Sequence, residues 1–448
     1  MLIGGINFYG KIIPLRLRCF IADAPARAFI LNHYSHVSRH PCSKCKVSGT
    51  RIRGRYVFNG VNHRLRTDDE YIRCSDEEHH KEGSSPLSNL PLGMVSQIPF
   101  EYMHLVCLGM MKKLLSAWIS GKYSRLSKLS SASISLISAR LNTFKKYCPS
   151  DFVRHLRPLN MYSKYKATEF RQFLLYTGPV VTYGILEAQI YKHFLLLHAS
   201  IRILVSNSPS NLHLKFAELA LQKFVFRCEN LYGSIFNSYN VHGLLHLTND
   251  VKQLGNLDSF SAFPYESNMS IFRKHFRKPG QPLQQFCHRM AEIEAHGTNV
   301  NYETESSINV SIHHNSAGDC PQYRKITFNR LSLGVDMRNN CCLLKDGTIC
   351  IICDIVMDNN SYLLVVKRFQ RIEYFYDVGI LSSALHIYKC STLNSEVSHI
   401  HLDEVNAKCY RMPFWNSTVD DSSSDEENES ETSQYIVATI VHSEKINR

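Results

Sequence analysis

The chain has 448 residues, 44% hydrophobic and 20% charged, which is enough apolar material for two or three folded domains. Its net charge is +12, and the run Asp420 to Glu431 holds seven acids and no base, so the remainder carries about +19. A body that basic points to a polyanionic partner, nucleic acid first, and no run of 18 uncharged apolar residues is present to cross a membrane. The stretch after Gly10 is interrupted by Arg16 and Arg18, so no secretory leader is expected. The 15 cysteines are therefore expected to be reduced thiols in nucleus or cytosol, some of them on metal.

Residues 11–22 (KIIPLRLRCFIA) alternate and then become apolar, which predicts a strand entering a core with Asp23 at its end. Residues 32–99 are rich in His, Arg, Cys and turn formers, and read as an irregular insert with little core of its own. From Met103 the pattern is helical. Further helical blocks are predicted at about 167–177, 184–205 and 214–236, the last two as amphipathic stripes. A helix over 240–254 carries two histidines, and 267–276 and 282–296 also read as helices. Residues 298–328 read as loop. Strand–turn–strand patterning over 341–375, with Asp346-Gly347 and Asn359-Asn360 as turns, predicts a small β-rich module reaching about 412. The acidic serine-rich run reads as disordered.

Two constellations carry chemistry. Cys42 and Cys45 have zinc-knuckle spacing, and His242 and His246 lie one helical turn apart on one face. Together they make a four-ligand set, although a free Cys pair and two ordinary helix histidines fit the same residues. His33, His36, His40, His79, His80 and His104 are rival ligands. Asp23 and Glu266 are candidate catalytic carboxylates for two-metal phosphodiester cleavage, and each is also a plausible helix-capping or solvated acid. Arg16, Arg18, Lys44, Lys46, Arg51, Arg53 and Arg55 form one basic group, and Arg273, Lys274, Arg277 and Lys278 another. Both suit phosphate contacts or plain solvated surface.

The segments CFIADAPARAFI (19–30), CSKC (42–45), LRTDDEY (65–71), EYMHLVCLGMMKKLL (101–115), YKATEFRQFLLYTGPV (165–180), YNVHGLLHLTNDVKQLG (239–255) and LDSFSAFPYES (257–267) resemble transposase-derived proteins of the CACTA/Mirage/Chapaev supergroup, in their insect form. The resemblance covers about 10–296. It implies an α/β fold: a partial RNase H-like core with a large helical insertion and an irregular zinc-binding insert, followed by a small β-rich domain. The divisions expected are 1–31 (core strands with the second acid), 32–100 (zinc insert), 101–238 (helical insertion), 239–297 (histidine helix and last acid), 298–330 (linker), 331–412 (β-rich) and 413–448 (acidic tail with a short end segment). In this reading Asp23 is the second acid of a DDE triad and Glu266 the third, and Cys42, Cys45, His242 and His246 hold structural Zn²⁺. Mg²⁺ or Mn²⁺ would serve cleavage and strand transfer. DNA is the implied partner, a homodimer the implied assembly and the nucleus the implied compartment. Only ten residues precede the strand at 11–22 and none is acidic, so the first triad acid is missing from its expected place and cleavage by the chain alone is expected to fail. Glu101 stands where the family has aspartate, and Tyr165 where it has tryptophan.

Overall fold

The structure is a computed structural model that describes residues 5–276, 278–296, 309–312, 323–328, 331–358, 361–415 and 434–441. Strands β1 (Ile6–Phe8) and β2 (Lys11–Ile13) pair as an antiparallel hairpin whose residues are all exposed. Residues 14–22 are neither strand nor helix, so the expected core strand over 11–22 is corrected. The physical reason is pairing: among the described residues β1 alone adds to β2, and a three-residue ladder buries neither face.

Asp23 N-caps helix α1 (Ala24–Ile30), with Pro25 in the first turn where no amide is missed. Between α1 and residue 100 the chain is mostly loop, with hairpin β3 (Thr50–Ile52) and β4 (Arg55–Val57) and a short helix α2 (Asp68–Ile72). This insert has a small core of its own, built from Leu31, Tyr71, Leu87, Leu92, Met94, Val95 and Ile98.

The helical body follows. A π-helical run Met103–Met111 continues into an α-helix Lys112–Ser120 (together α3), which ends on left-handed Gly121. Helix α4 (Ser131–Phe144) was not expected: its serines are weak helix formers, and only Ile137, Arg140, Leu141 and Phe144 are buried on it. Residues 167–181 (α5) again contain a π-helical turn, Phe173–Thr177. Helix α6 (Ala188–Val205) differs from its expected amphipathic stripe, because it is buried almost all round. Its buried histidines each bond a carbonyl of another segment: His193 Nε2 lies 2.9 Å from the Phe224 carbonyl and His198 Nδ1 2.6 Å from that of Leu174. Helix α7 (Asn211–Tyr232) packs on it through one stripe from Leu214 to Tyr232, as expected. The histidine helix α8 consists of Tyr239–Gly243, one tight turn Leu244–His246, and Leu247–Leu254. Helices α9 (Phe263–Lys274) and α10 (Pro282–His296) follow.

The carboxy-terminal part is antiparallel β. Strands β5 (Asn309–Ile312), β6 (Tyr323–Phe328) and β7 (Leu331–Gly334) form one sheet, so strands replace the loop expected over 298–328 where residues are described. Strands β8 (Cys341–Leu344), β9 (Ile349–Asp358), β10 (Ser361–Tyr374), β11 (Ile387–Leu393), β12 (Ser398–His401), β13 (Val405–Pro413) and β14 (Tyr435–Thr439) form a second. Pairings run β8–β9–β10–β11–β14–β13 and return to β8, so six strands close a barrel, with β12 added on β10. The barrel does not stop near 412: β14, within the short end segment expected after the acidic run, joins β13 to β11 and belongs to the barrel wall. The acidic run itself, the Asn359-Asn360 turn and Arg277 lie outside the described residues.

Barrel and helices share one core. Tyr376, Leu385, Ile387, Tyr410, Met412, Ile436 and Ala438 are continuous with the helical cluster. Arg202 of α6, fully buried, donates to the carbonyls of Leu385 (2.7 Å), Thr439 (2.8 Å) and Leu175 (3.2 Å). Its charge is spread over three buried carbonyl dipoles.

Candidate metal centre

Cys42 and Cys45 lie at a tight turn in the insert. It is closed by Lys46 N–H to Arg64 O and Arg66 N–H to Lys44 O, both 2.9 Å. Arg66 pins the turn from behind, its Nε donating to the carbonyls of Cys42 (3.0 Å) and Cys45 (3.2 Å). His242 and His246 point from α8 into the same space. Cys42 Sγ is 3.4 Å from His246 Nε2, Cys45 Sγ is 3.2 Å from His242 Nε2, and the two Nε2 atoms are 3.3 Å apart. All four residues are buried, and their ligand atoms lie within 4.8 Å of one another. Two remote stretches therefore meet, and this group could hold a zinc ion.

The chemistry of the donors fits a cation. Burial pushes the Cys42 thiol up, but the hydrogen bond from Cys45 and the two imidazoles outweigh it and hold Cys42 well below the usual thiol range. Cys45 is pushed up, first by its hydrogen bond to Cys42 and then by burial. Two sulfurs and two imidazole nitrogens are the soft donor set that suits Zn²⁺.

The surroundings are built to hold this set in place. Lys44, between the two cysteines, donates to Asp250 Oδ1 (2.7 Å) and to the Val95 carbonyl (2.6 Å). Asp250 lies one turn beyond His246 and also accepts from the Phe100 amide (2.8 Å). Lys44 is 5% exposed and Asp250 fully buried. The expectation that Lys44 contacts phosphate is thus corrected: it is a buried strut between knuckle and histidine helix. Arg18 likewise is committed to protein, to Leu254 O and Ser259 Oγ. Arg51, Arg53 and Arg55 are exposed on the β3–β4 hairpin, and Arg273 and Lys274 on α9.

Most rival histidines are otherwise engaged. His33 and His79 stack at 4.5 Å, and burial pushes them down to about 4 and about 2. His79 bonds the His40 carbonyl (2.7 Å) and Tyr71 Oη (3.1 Å). His40 pairs with Glu78 at 3.2 Å.

The carboxylates lie on a neighbouring junction. Asp23 is half-buried and its Oδ1 accepts from the Ala26 amide at 2.8 Å, so the capping role is real. Arg27, one turn on, is buried, donates to the Pro99 carbonyl and lies 4.3 Å over the Phe100 ring. Phe100 in turn stacks on His246 at 5.6 Å, which links α1 to the metal centre. Glu266 is exposed in the first turn of α9. Glu101 connects the two sides. Its Oε1 accepts from the amides of Met103 (2.6 Å) and Ala262 (2.7 Å), and its Oε2 from the amide and Nδ1 of His104, both 2.7 Å. One buried carboxylate therefore staples the start of α3 to the start of α9. The Glu101 hydrogen bond raises the His104 pKa against the opposing effect of burial, and the charges of Glu101, Asp23 and Glu266 raise it further. Asp23 and Glu266 thus both lie within electrostatic reach of His104. They are not joined by a third ligand: among the described residues the Cys2His2 set is the one group of three or more that converges.

Because its folded-state pKa is raised above the ordinary value of about 6.5, His104 contributes stability that is full below that value and is lost as pH climbs past the raised one. Glu101→Gln is expected to bring the His104 pKa down toward the ordinary value, read from its imidazole resonances in an NMR titration. An unchanged titration would show that Glu101 does not set the charge of this ring.

Asp250, Arg66 and Arg27 do not stand out in the sequence, and neither does Asp68, whose carboxylate accepts from the amides of Val95 (2.6 Å) and Ser96 (2.9 Å). Asp68 and Asp250 sit inside the motif segments 65–71 and 239–255, which was the available signal. Arg171, from the segment 165–180, lies 4.0 Å over the ring of Phe263 at the start of α9.

Residues 307–421 match a family described as a domain of unknown function (DUF8592). The matched span ends before β14, which closes the barrel. No curated protein and no solved structure matches the chain. No helix among the described residues is long and apolar enough to cross a membrane.

Proposed function

We propose that the chain is by descent a DDE-type DNA transposase of the CACTA/Mirage/Chapaev supergroup, its RNase H-like ancestry reduced to the α1 region and the α8–α9 region. Asp23 and Glu266 are the retained triad acids, and the Cys2His2 set holds structural Zn²⁺. The observation that carries the reading is the junction at His104. The start of α9 is tied by Glu101 to the start of α3, which brings Glu266 and Asp23, 243 positions apart in sequence, into the field of one imidazole. Glu101 fixes His104 through Nδ1 and leaves Nε2 as its remaining polar atom. When bound by the carboxylates, Mg²⁺ or Mn²⁺ would activate water and stabilise the leaving oxygen of a DNA phosphodiester. DNA in the nucleus is the substrate this reading implies.

The test is Mn²⁺-dependent nicking of a duplex carrying the element's ends. A triad short of one acid is expected to leave the chain alone with little or no nicking. Asp23→Asn keeps a good helix cap, so the fold should survive while any nicking that is present falls by about 100-fold or more. Nicking that is indifferent to the substitution would contradict cleavage by these residues. A non-catalytic DNA-binding or protein-interaction factor is the second reading. It is favoured by the lack of a converging third ligand beside Asp23 and Glu266 among the described residues, and in it DNA retention persists in Asp23→Asn without any nicking.

A further inference from the structure

Three cations gather on one face of the helical body without an acid among them. Lys113 of α3 is half-buried. Its ammonium donates to Ser238 Oγ at 2.8 Å and lies 5.0 Å over the Tyr123 ring and 4.7 Å over that of Phe236. Lys122, exposed just after α3, places its ammonium 5.8 Å over the same Tyr123 ring. Arg55, exposed on the β3–β4 hairpin, is close enough for its charge to act on both Lys113 and Tyr123. None of the three pairs with a carboxylate among the described residues. Burial pushes the Lys113 pKa down to about 7; Cys228 opposes the shift, and the charges of Arg55 and Lys122 add to it.

The cleft of about 770 Å³ beside His246 is also lined by charged residues. There Lys44 pairs with Asp250, Arg64 with Glu70, Arg66 with Asp76 and Lys252 with Glu218. Cations held together without counter-charge repel one another, and the arrangement costs stability unless an anion relieves it. Beneath the ammonium groups Tyr123 is in edge contact with the buried Phe236 at 5.0 Å, which fixes the ring in place.

We propose that Arg55, Lys113 and Lys122 form a phosphate-binding site for the backbone of a nucleic-acid strand, with Tyr123 beneath it. The site is separate from the Asp23 and Glu266 junction and stands whether or not those carboxylates cleave. Its occupant is a phosphodiester because the chain outside the acidic run is strongly basic and because two ammonium groups and a guanidinium around a ring suit successive phosphates rather than one small ion.

The experiment measures binding of a fluorescein-labelled DNA duplex by the full chain over a range of salt. Arg55→Gln combined with Lys122→Gln alters only exposed side chains. It is expected to weaken binding about 10-fold at low salt and to reduce the salt slope by about 2. Arg154→Gln with Lys223→Gln, exposed residues outside the cluster, controls for net charge and should do less. In NMR of reductively methylated protein, the Lys113 signal should titrate higher when duplex is added. Unchanged affinity and slope in the Arg55 and Lys122 variant would overturn the site. So would a Lys113 response to inorganic phosphate with none to duplex, which would assign the cluster to a small phosphate. Asp23→Asn is expected to leave these binding results intact, so loss of cleavage and loss of this site are read separately.

Discussion

Cys45→Ser, or exhaustive chelation of the wild-type chain, is expected to destabilise the protein by at least about 3 kcal/mol, or about 3 °C in Tm for a chain of this length. The reasoning starts from what the site is without a cation. Two sulfurs and two imidazole nitrogens face each other inside 4.8 Å, where their lone pairs repel. Of the two sulfurs, Cys42 is held well below the usual thiol range, the Cys45 hydrogen bond and the two imidazoles outweighing burial. His242 Nδ1 is buried without a hydrogen bond, so the ring gains nothing by turning its other nitrogen to protein. Burial in the same place pushes the His242 pKa down, which disfavours a charged imidazolium as the compensating cation. A bound metal resolves all of this at once, and its affinity becomes stability for the insert, whose own core is only seven residues. Calorimetry before and after chelation, with zinc added back, measures it. A Tm that does not move would mean that packing alone holds the cysteine turn to α8.

The second large effect is expected at Asp250. Asp250→Ala leaves the Lys44 ammonium 5% exposed with the Val95 carbonyl as its remaining partner, and it strands the Phe100 amide. Removing one member of a buried pair costs about 3–5 kcal/mol, because the other charge stays behind in low dielectric. Lys44→Met in the same chain removes that stranded charge, so the double variant should be more stable than Asp250→Ala alone. Urea denaturation of the four proteins in the cycle decides it. If Asp250→Ala cost less than about 1 kcal/mol, Lys44 would be reaching water, and the strut between knuckle and histidine helix would not exist. Since Lys44 lies between both cysteines and Asp250 follows both histidines, the same variant should also bind zinc more weakly.

Much of the helical body was legible, because apolar periodicity over long segments reports burial directly: α3, α7 and α8 lie where the spacing places them. The metal ligands were legible for a different reason. CxxC and HxxxH are local geometries, each fixed by a few backbone bonds, and only their meeting needed the fold. What was not legible depends on distant partners. Lys44 reads as surface because lysine usually is, and its carboxylate is 206 positions away. The five residues of β14 are too short to announce a strand, and they become one because β11 and β13 both present open edges to them. Helix α6 reads as amphipathic because it carries His193, His198 and Arg202, yet each is buried and bonded to a carbonyl of another segment. The stretch 11–22 shows the reverse error: alternation is present, but the neighbouring strands that would make it a core are not among the described residues.

The most direct test of the account is X-ray absorption at the zinc edge of the purified full chain. One zinc per chain is expected, with two sulfur ligands at about 2.3 Å and two nitrogens at about 2.0 Å, and the sulfur shell should vanish in the Cys42→Ser, Cys45→Ser double variant. A chain purified without metal, or zinc bound through oxygen and nitrogen alone, would contradict the clasp between the early cysteine turn and the late histidine helix.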